Sequence, residues 1–408
     1  MKKRFYQRKS FFVCLGVLLS LGVLLGGLYY FRTPIFIKIF SKNAHPVVIV
    51  SGTWEEMGYQ VGSRIDFAQG IQRTASFMRK SFPPEKARLY FDRVESLIPQ
   101  TVVDQMRGLA RGVSGVLDIS YDEAWKDILV WNFFIPSTYS KSCTAFAVTS
   151  PKGAFIAHNT DQEYLHTLDG AVIIFKPDPG LGYPFVSFFP PGFVGVGLGE
   201  NLARLAVVYN AAFPSERDYG LPPLIMVRKV MEECGSIEEA LKTLQSFLKE
   251  GGRFAHNGAN LTFIDFKTGQ MALIELAPDQ VEVNRGMKSG NKRFVLATNH
   301  YRLMPERNQR EDYNTSSYAR LERAKILLTI EKNLTVESIL KILSDHDGKE
   351  QGTNHTICRH KNLNYGTISL HIFDDQFVLY YILGNPCRYW KDPSILQIVR
   401  WREILEKG

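Results

Sequence analysis

Acidic residues are missing from the first 42 positions, which hold eight basic ones, and cysteine is scarce throughout, five in 408 residues. The first absence localises the charge. Removing those eight from the 49 Lys and Arg leaves 41, against 41 Asp and Glu, so the net +8 belongs to the N-terminal arm. A neutral body offers no basic face of the kind nucleic-acid binding requires, and no nucleic-acid partner is expected. The second absence excludes a dense disulfide framework. No CxxC or CxxH pair occurs, so spacing suggests no zinc motif, and no metal or organic cofactor is implied. A Cys358–Cys387 disulfide stays open as an expectation for an oxidising compartment. Internal repeats and low-complexity tracts are also lacking, and a 45% hydrophobic, 22% charged composition fits a large globular core.

Charge is absent once more from residues 11–31. A helix rising ~1.5 Å per residue would carry that run about 30 Å, the thickness of a bilayer core. Tyr29, Tyr30 and Phe31 close it, where interfacial aromatics tend to sit, and the basic residues ahead of it favour a cytoplasmic N-terminus. Tyr30-Phe31-Arg32 is no small-x-small cleavage site, which favours an uncleaved signal anchor over a removed signal peptide. The expected organisation is a cytoplasmic tail over 1–10, a single transmembrane helix over 11–31 and a linker over 32–46 with Pro34 and Pro46. An extracytoplasmic catalytic domain over 47–408 follows.

Residues 54–132 have helical character. Thr53 and Glu56 form a capping-box pair ahead of Met57, and Val102, Met106, Leu109 and Val113 keep helical spacing. From Cys143 the pattern changes to short β-rich runs, over 144–149, 155–157, 171–176, 205–209, 261–266, 271–276 and 294–297. Helices are expected over 222–233, 236–249, 316–331 and 335–345. A last strand pair, 367–373 and 377–383, turns at Asp374-Asp375. This alternation predicts an α+β unit, two antiparallel-looking sheets with helices outside.

The chemistry centres on Cys143. Asp161 follows it by eighteen residues, and Thr298-Asn299-His300 and Ile357-Cys358-Arg359-His360 come much later. A thiol, a carboxylate, a side-chain amide and a guanidinium are the parts needed for acyl transfer through a thioester.

The order of these pieces resembles the acyl-coenzyme A:6-aminopenicillanic acid acyltransferase group of N-terminal nucleophile hydrolases, distantly similar to choloylglycine hydrolases and penicillin V acylases. The resemblance runs over about residues 47–390, from Val50-Ser51-Gly52-Thr53-Trp54 through Cys143-Thr144, Asn159-Thr160-Asp161 and Tyr209-Asn210 to Gly384-Asn385-Pro386-Cys387. It implies a four-layer αββα sandwich and a chain cut between Ser142 and Cys143, giving an α chain to 142 and a β chain from 143. It implies Cys143 as nucleophile, Asp161 orienting its amine, Asn299 facing the oxyanion and Arg359 near the sulfur. Asn159, Tyr209 and Asn210 are weaker oxyanion or substrate-binding candidates. Asn159 stands where choloylglycine hydrolases carry arginine, which favours the acyltransferase branch, and Ser142 stands where the fungal acyltransferase pattern has glycine. The expected partner is a small acyl amide, besides the membrane through residues 11–31. An acyl-coenzyme A donor suits only a cytosolic site. The rival readings are a phospholipase-B-like lipid deacylase, a papain-like protease pairing Cys143 with His300, and an inactive binding module.

Overall fold

The computed structural model describes residues 46–134, 142–163, 170–215, 220–255, 258–308, 311–362 and 365–407. The apolar run 11–31 and the linker ahead of residue 46 lie outside them. Among the described residues no helix is long and apolar enough to cross a membrane.

Strand β1 (Val47–Gly52) leads into five helices, α1 (Trp54–Gly62), α2 (Ile65–Met78), α3 (Pro84–Val94), α4 (Gln100–Leu117) and α5 (Tyr121–Phe133). Six strands follow: β2 (Ser142–Ser150), β3 (Gly153–Glu163), β4 (Ala171–Pro177), β5 (Phe185–Phe189), β6 (Leu198–Asn201) and β7 (Leu205–Ala211). Helices α6 (Pro223–Glu233) and α7 (Ile237–Lys249) precede β8 (Ala259–Asp265), β9 (Gln270–Ala277), β10 (Gln280–Asn284), β11 (Met287–Ser289) and β12 (Lys292–Ala297). The chain closes with α8 (Glu311–Ile330), α9 (Val336–Leu343), β13 (His360–Asn362), β14 (Tyr365–Asp374), β15 (Val378–Leu383), β16 (Gln397–Arg400) and α10 (Trp401–Lys407).

The strands form two sheets, one ordered β1-β4-β5-β6-β7-β8-β9-β10 and the other β11-β12-β2-β3-β14-β15-β16, with β13 beside β14. Strand period decides the layering, because successive side chains point to opposite faces. In β4, Ala171, Ile173 and Phe175 pack with the helices α1 to α7, whereas Val172 and Ile174 face the second sheet. In β2, Ala145 and Ala147 face the first sheet, whereas Phe146 and Val148 pack with Leu321, Ala324 and Leu328 of α8. The order is therefore helices, sheet, sheet, helices, with the central strands, such as β8 and β14, buried along their whole length.

Thr53 caps α1 in the expected capping box. Four glycines let α1 and α4 cross at backbone contact. A Cβ on Gly108 would lie 1.9 Å from the Glu55 carbonyl oxygen, and one on Gly58 would lie 2.2 Å from that of Gln105; at Gly62 and Gly112 the nearest backbone atoms would be 2.4 and 2.6 Å away. Strand β1, which is not among the strands expected from the sequence, runs parallel to β4. Strand β3, expected over 155–157, reaches Glu163 because its polar residues His158, Asn159, Thr160 and Asp161 continue the ladder with β2 and β14. Helix α8 starts at Glu311 rather than 316. Cys358 and Cys387 are free cysteines, not a disulfide.

Candidate active site

Cys143 is the second residue of β2 and is buried. Strand alternation aims its side chain, like those of Ala145 and Ala147, between the sheets. There it lines a cavity of about 180 Å³, together with His158, Thr160 and Tyr209. Aromatic side chains line much of the rest of that wall, among them Trp131, Phe133, Phe188, Phe189 and Phe193.

The backbone of Cys143 is held by Asn299 and by Arg320 of α8. Its N–H donates to Asn299 Oδ1 at 2.8 Å. Its carbonyl accepts from Arg320 Nη1, which also reaches Thr144 Oγ1 at 2.9 Å, and Arg320 Nη2 donates to Asn299 Oδ1 at 2.8 Å. Two donors on Oδ1 set the orientation of the Asn299 amide, whose Nδ2 donates to the Ala211 carbonyl at 2.9 Å. That carbonyl takes one of two N–H groups.

Asp161 sits opposite Ser142 in the β2–β3 register and has no exposed surface. Oδ1 accepts from Thr367 Oγ1 at 2.7 Å, while Oδ2 lies 3.5 Å from Arg359 Nη1 and 4.0 Å from Arg320 Nη1. Burial raises the Asp161 pKa against the pull of Arg359, Arg320 and the Thr367 bond. Arg320 is pushed down to about 10, by burial first and then by Arg359, so it stays cationic at neutral pH. Arg359 is held by the Asn354 carbonyl at 3.0 Å and by the Asn354 side chain. Two buried guanidiniums thus face one carboxylate, an excess of positive charge that favours an added anion such as a thiolate or an oxyanion.

The four main candidates from the sequence, Cys143, Asp161, Asn299 and Arg359, are brought together. Tyr209 joins them through the cavity; burial, then charge on Cys143, raises its pKa, and its carbonyl bonds His158 Nε2 at 2.9 Å. Asn159 does not join. Its amide donates to the carbonyls of Leu343 and Ile357 at 2.8 and 3.1 Å, leaving no N–H for an oxyanion; it ties β3 to the outer helical layer. Asn210 donates to Ala297 at 3.3 Å, joining the sheets. His300, the partner in the papain-like reading, is tied into the helix side. Its Nδ1 meets Ser317 Oγ at 2.7 Å, and burial, with Arg320 and Arg302, lowers its pKa to about 4.

Arg320 is a residue of this cluster that sequence reasoning missed. Its signal was position: it shares the helix face of Ser317, Leu321, Ala324 and Leu328, which is the buried stripe of α8, and a charge there demands a partner. His158 was also passed over. Burial takes its pKa to about 3, so it is a neutral imidazole at the cavity wall.

Residues 148–387 match the acyl-coenzyme A:6-aminopenicillanic acid acyl-transferase family, more than half of the chain. The chain belongs to that family. The match begins just downstream of Cys143 and includes Asp161, Asn299, Arg320 and Arg359. An uncharacterized protein of Archaeoglobus fulgidus is 23% identical over 266 residues, 55% of this chain and 42% of that protein, so the chain spans less than half of that relative. Among solved structures, a Caenorhabditis elegans N-acylethanolamine-hydrolyzing acid amidase ortholog is 14% identical, with a TM-score of 0.41 over 63% of this chain and 100% of that one. A mutant conjugated bile acid hydrolase from Clostridium perfringens is 10% identical, with a TM-score of 0.40 over 64% and 93%. Penicillin V acylase from Agrobacterium tumefaciens is 13% identical, with a TM-score of 0.34 over 59% and 83%.

Proposed function

We propose that this family member is a cysteine amidohydrolase or N-acyltransferase that cleaves a linear amide through a thioester on Cys143, after self-cleavage of the Ser142–Cys143 bond. The observation that carries the reading is the two-sided setting of Cys143. Its side chain enters an aromatic-walled cavity, and its backbone is clasped by Asn299 and Arg320 beside Asp161 and Arg359.

Self-cleavage would begin with Sγ attacking the Ser142 carbonyl carbon. The peptide C–N bond breaks, its nitrogen takes the proton, and water opens the thioester to a Ser142 carboxylate and the thiol. The new α-amine, of ordinary pKa ~7.7–8.0, is a general base close to working pH. It would take the thiol proton as sulfur attacks the substrate carbonyl. The second Asn299 N–H would meet the oxyanion. The proton then passes to the leaving amine, and water or a second amine resolves the thioester. Asp161, with Arg359 and Arg320, would set the field in which the amine works. The aromatic wall suits an apolar acyl group, since burying such a group is worth ~25 cal/mol per Å².

Intact-mass measurement tests the first half. Wild-type protein should yield a fragment starting at Cys143, and Cys143→Ala should stay uncut and inactive. A cut at the same bond in Cys143→Ala, or full activity of uncut wild-type protein, would sink the proposal.

A further inference from the structure

Behind the candidate active site the chain gathers a second set of chemically soft side chains. His346 follows α9, Cys358 and His360 flank Arg359, and Cys387 lies in the short 3-10 helix Pro386–Trp390. One ligand atom from each lies within 4.8 Å of all the others. His360 Nε2 is 3.4 Å from Cys358 Sγ and 3.6 Å from Cys387 Sγ. A tetrahedral zinc with Zn–S near ~2.3 Å and Zn–N near ~2.0–2.1 Å sets its nitrogen and sulfur ligands about 3.6 Å apart. The His346 and His360 rings stand 5.0 Å apart at 88°.

We propose that His346, Cys358, His360 and Cys387 form a structural zinc site. The His346 Nε2 is the independent sign. It is buried without a hydrogen-bond partner, while Nδ1 of the same ring meets the Glu350 carbonyl at 3.3 Å. An Nδ1–H donated to that carbonyl puts the lone pair on Nε2, the tautomer a metal needs. Two thiolates and two neutral imidazoles cancel the charge of a divalent ion. A soft two-nitrogen, two-sulfur set selects zinc over magnesium or calcium. Binding by two thiols and two neutral imidazoles releases two protons to solvent and changes no oxidation state. All four positions are protein ligands, so the site is closed and has no catalytic vacancy.

The ion would staple three separate chain segments. Gly352 permits the fold-back: a Cβ there would lie 2.5 Å from His360 Cδ2 and 2.3 Å from the Cys358 carbonyl oxygen. Because Arg359 lies between two ligands, the staple fixes the backbone on both sides of it. Its guanidinium meanwhile reaches Asp161. Zinc is thus a positioning element for Arg359. The spacing hid it from the sequence, since the ligands come as Cys-x-His with one distant partner on either side.

The test needs no substrate, so it stands apart from the proposed reaction. Full-length protein purified without chelator should hold about one zinc per chain by elemental mass spectrometry. Cobalt(II) exchanged into it should show the thiolate charge-transfer and intense ligand-field bands of a tetrahedral two-sulfur site. Cys387→Ser and His346→Gln should lose most of the metal, and Cys234→Ser, outside the cluster, should keep it. Should those variants fail to fold, the wild-type cobalt spectrum and a Tm lowered by a membrane-permeant or soluble zinc chelator decide alone. Wild-type protein that holds no zinc and shows no tetrahedral cobalt bands overturns the site. So does a native Cys358–Cys387 disulfide, or full metal retention in Cys387→Ser and His346→Gln.

Discussion

Asn299 Oδ1 receives Arg320 Nη2 and the Cys143 N–H at the same distance, 2.8 Å. One side-chain oxygen therefore couples a buried helix cation to the candidate nucleophile. The same guanidinium holds the Cys143 carbonyl, so both ends of that residue answer to Arg320. A lysine could carry the charge but not this fork.

Arg320→Lys should accordingly fold and lose about 10²-fold or more in kcat. Arg320→Ala should also cost about 3–5 kcal/mol of stability, because it leaves Asp161 and Asn299 short of a buried partner. Thermal melts and turnover of an acyl amide separate the two effects. Wild-type turnover in Arg320→Lys would remove Arg320 from the site's working parts.

Asn299→Asp and Asn159→Asp should part company. The first keeps the acceptor for Cys143 and Arg320 but deletes the N–H groups, so kcat should fall about 10²–10³-fold. The second breaks the bonds to Leu343 and Ile357 and should cost about 1–3 kcal/mol of stability, leaving kcat of the folded fraction near wild type. Equal kcat losses in the two variants would contradict this division of roles.

Gly108→Ala tests the α1–α4 crossing. An added methyl meets the Glu55 backbone at 1.9 Å, so the helices must move apart, at about 1–3 kcal/mol or more. Gly115→Ala lies on the same helix with nothing within 4 Å and should be neutral or stabilising by about 0.5–1 kcal/mol. Denaturant titration of both variants reads the contrast directly.

Stability should fall on acidification. His158 and His300 have folded pKa values near 3 and 4, both below the ordinary 6.5 and driven there first by burial. Below pH 6.5 the unfolded chain binds protons that the folded chain refuses. Each imidazole then removes about 1.4 kcal/mol per pH unit until its folded pKa is reached. These two groups therefore lower Tm between pH 6.5 and pH 4. His158→Asn should flatten that slope; an unchanged slope would show that His158 is not held neutral.

Periodicity carried most of the fold. The α+β division at Cys143, the capping box at Thr53 and the hairpin at Asp374-Asp375 are local signals, and each has its counterpart in the structure. Strand β3 did not show its length, because its buried polar residues read as a turn until their partners on β2 and β14 are known. For the site, spacing picked out Cys143, Asp161, Asn299 and Arg359, whose types name their chemistry. It ranked Asn159 below Asn299 but could not show what either amide bonds, since that depends on distant carbonyls. Arg320 and the four soft ligands depend on contacts across more than a hundred residues or on irregular spacing, which no local pattern encodes.

The alternation of β2 has one more consequence. Cys143 faces the aromatic cavity and Thr144, its neighbour, faces Arg320. The sheet is thus a partition one peptide thick between an oily chamber and an ionic one. A substitution on the cavity face, at Phe188 or Phe189, therefore leaves the Arg320 contacts on the opposite face in place. Cavity shape and buried charge are thus set by alternate residues of one strand.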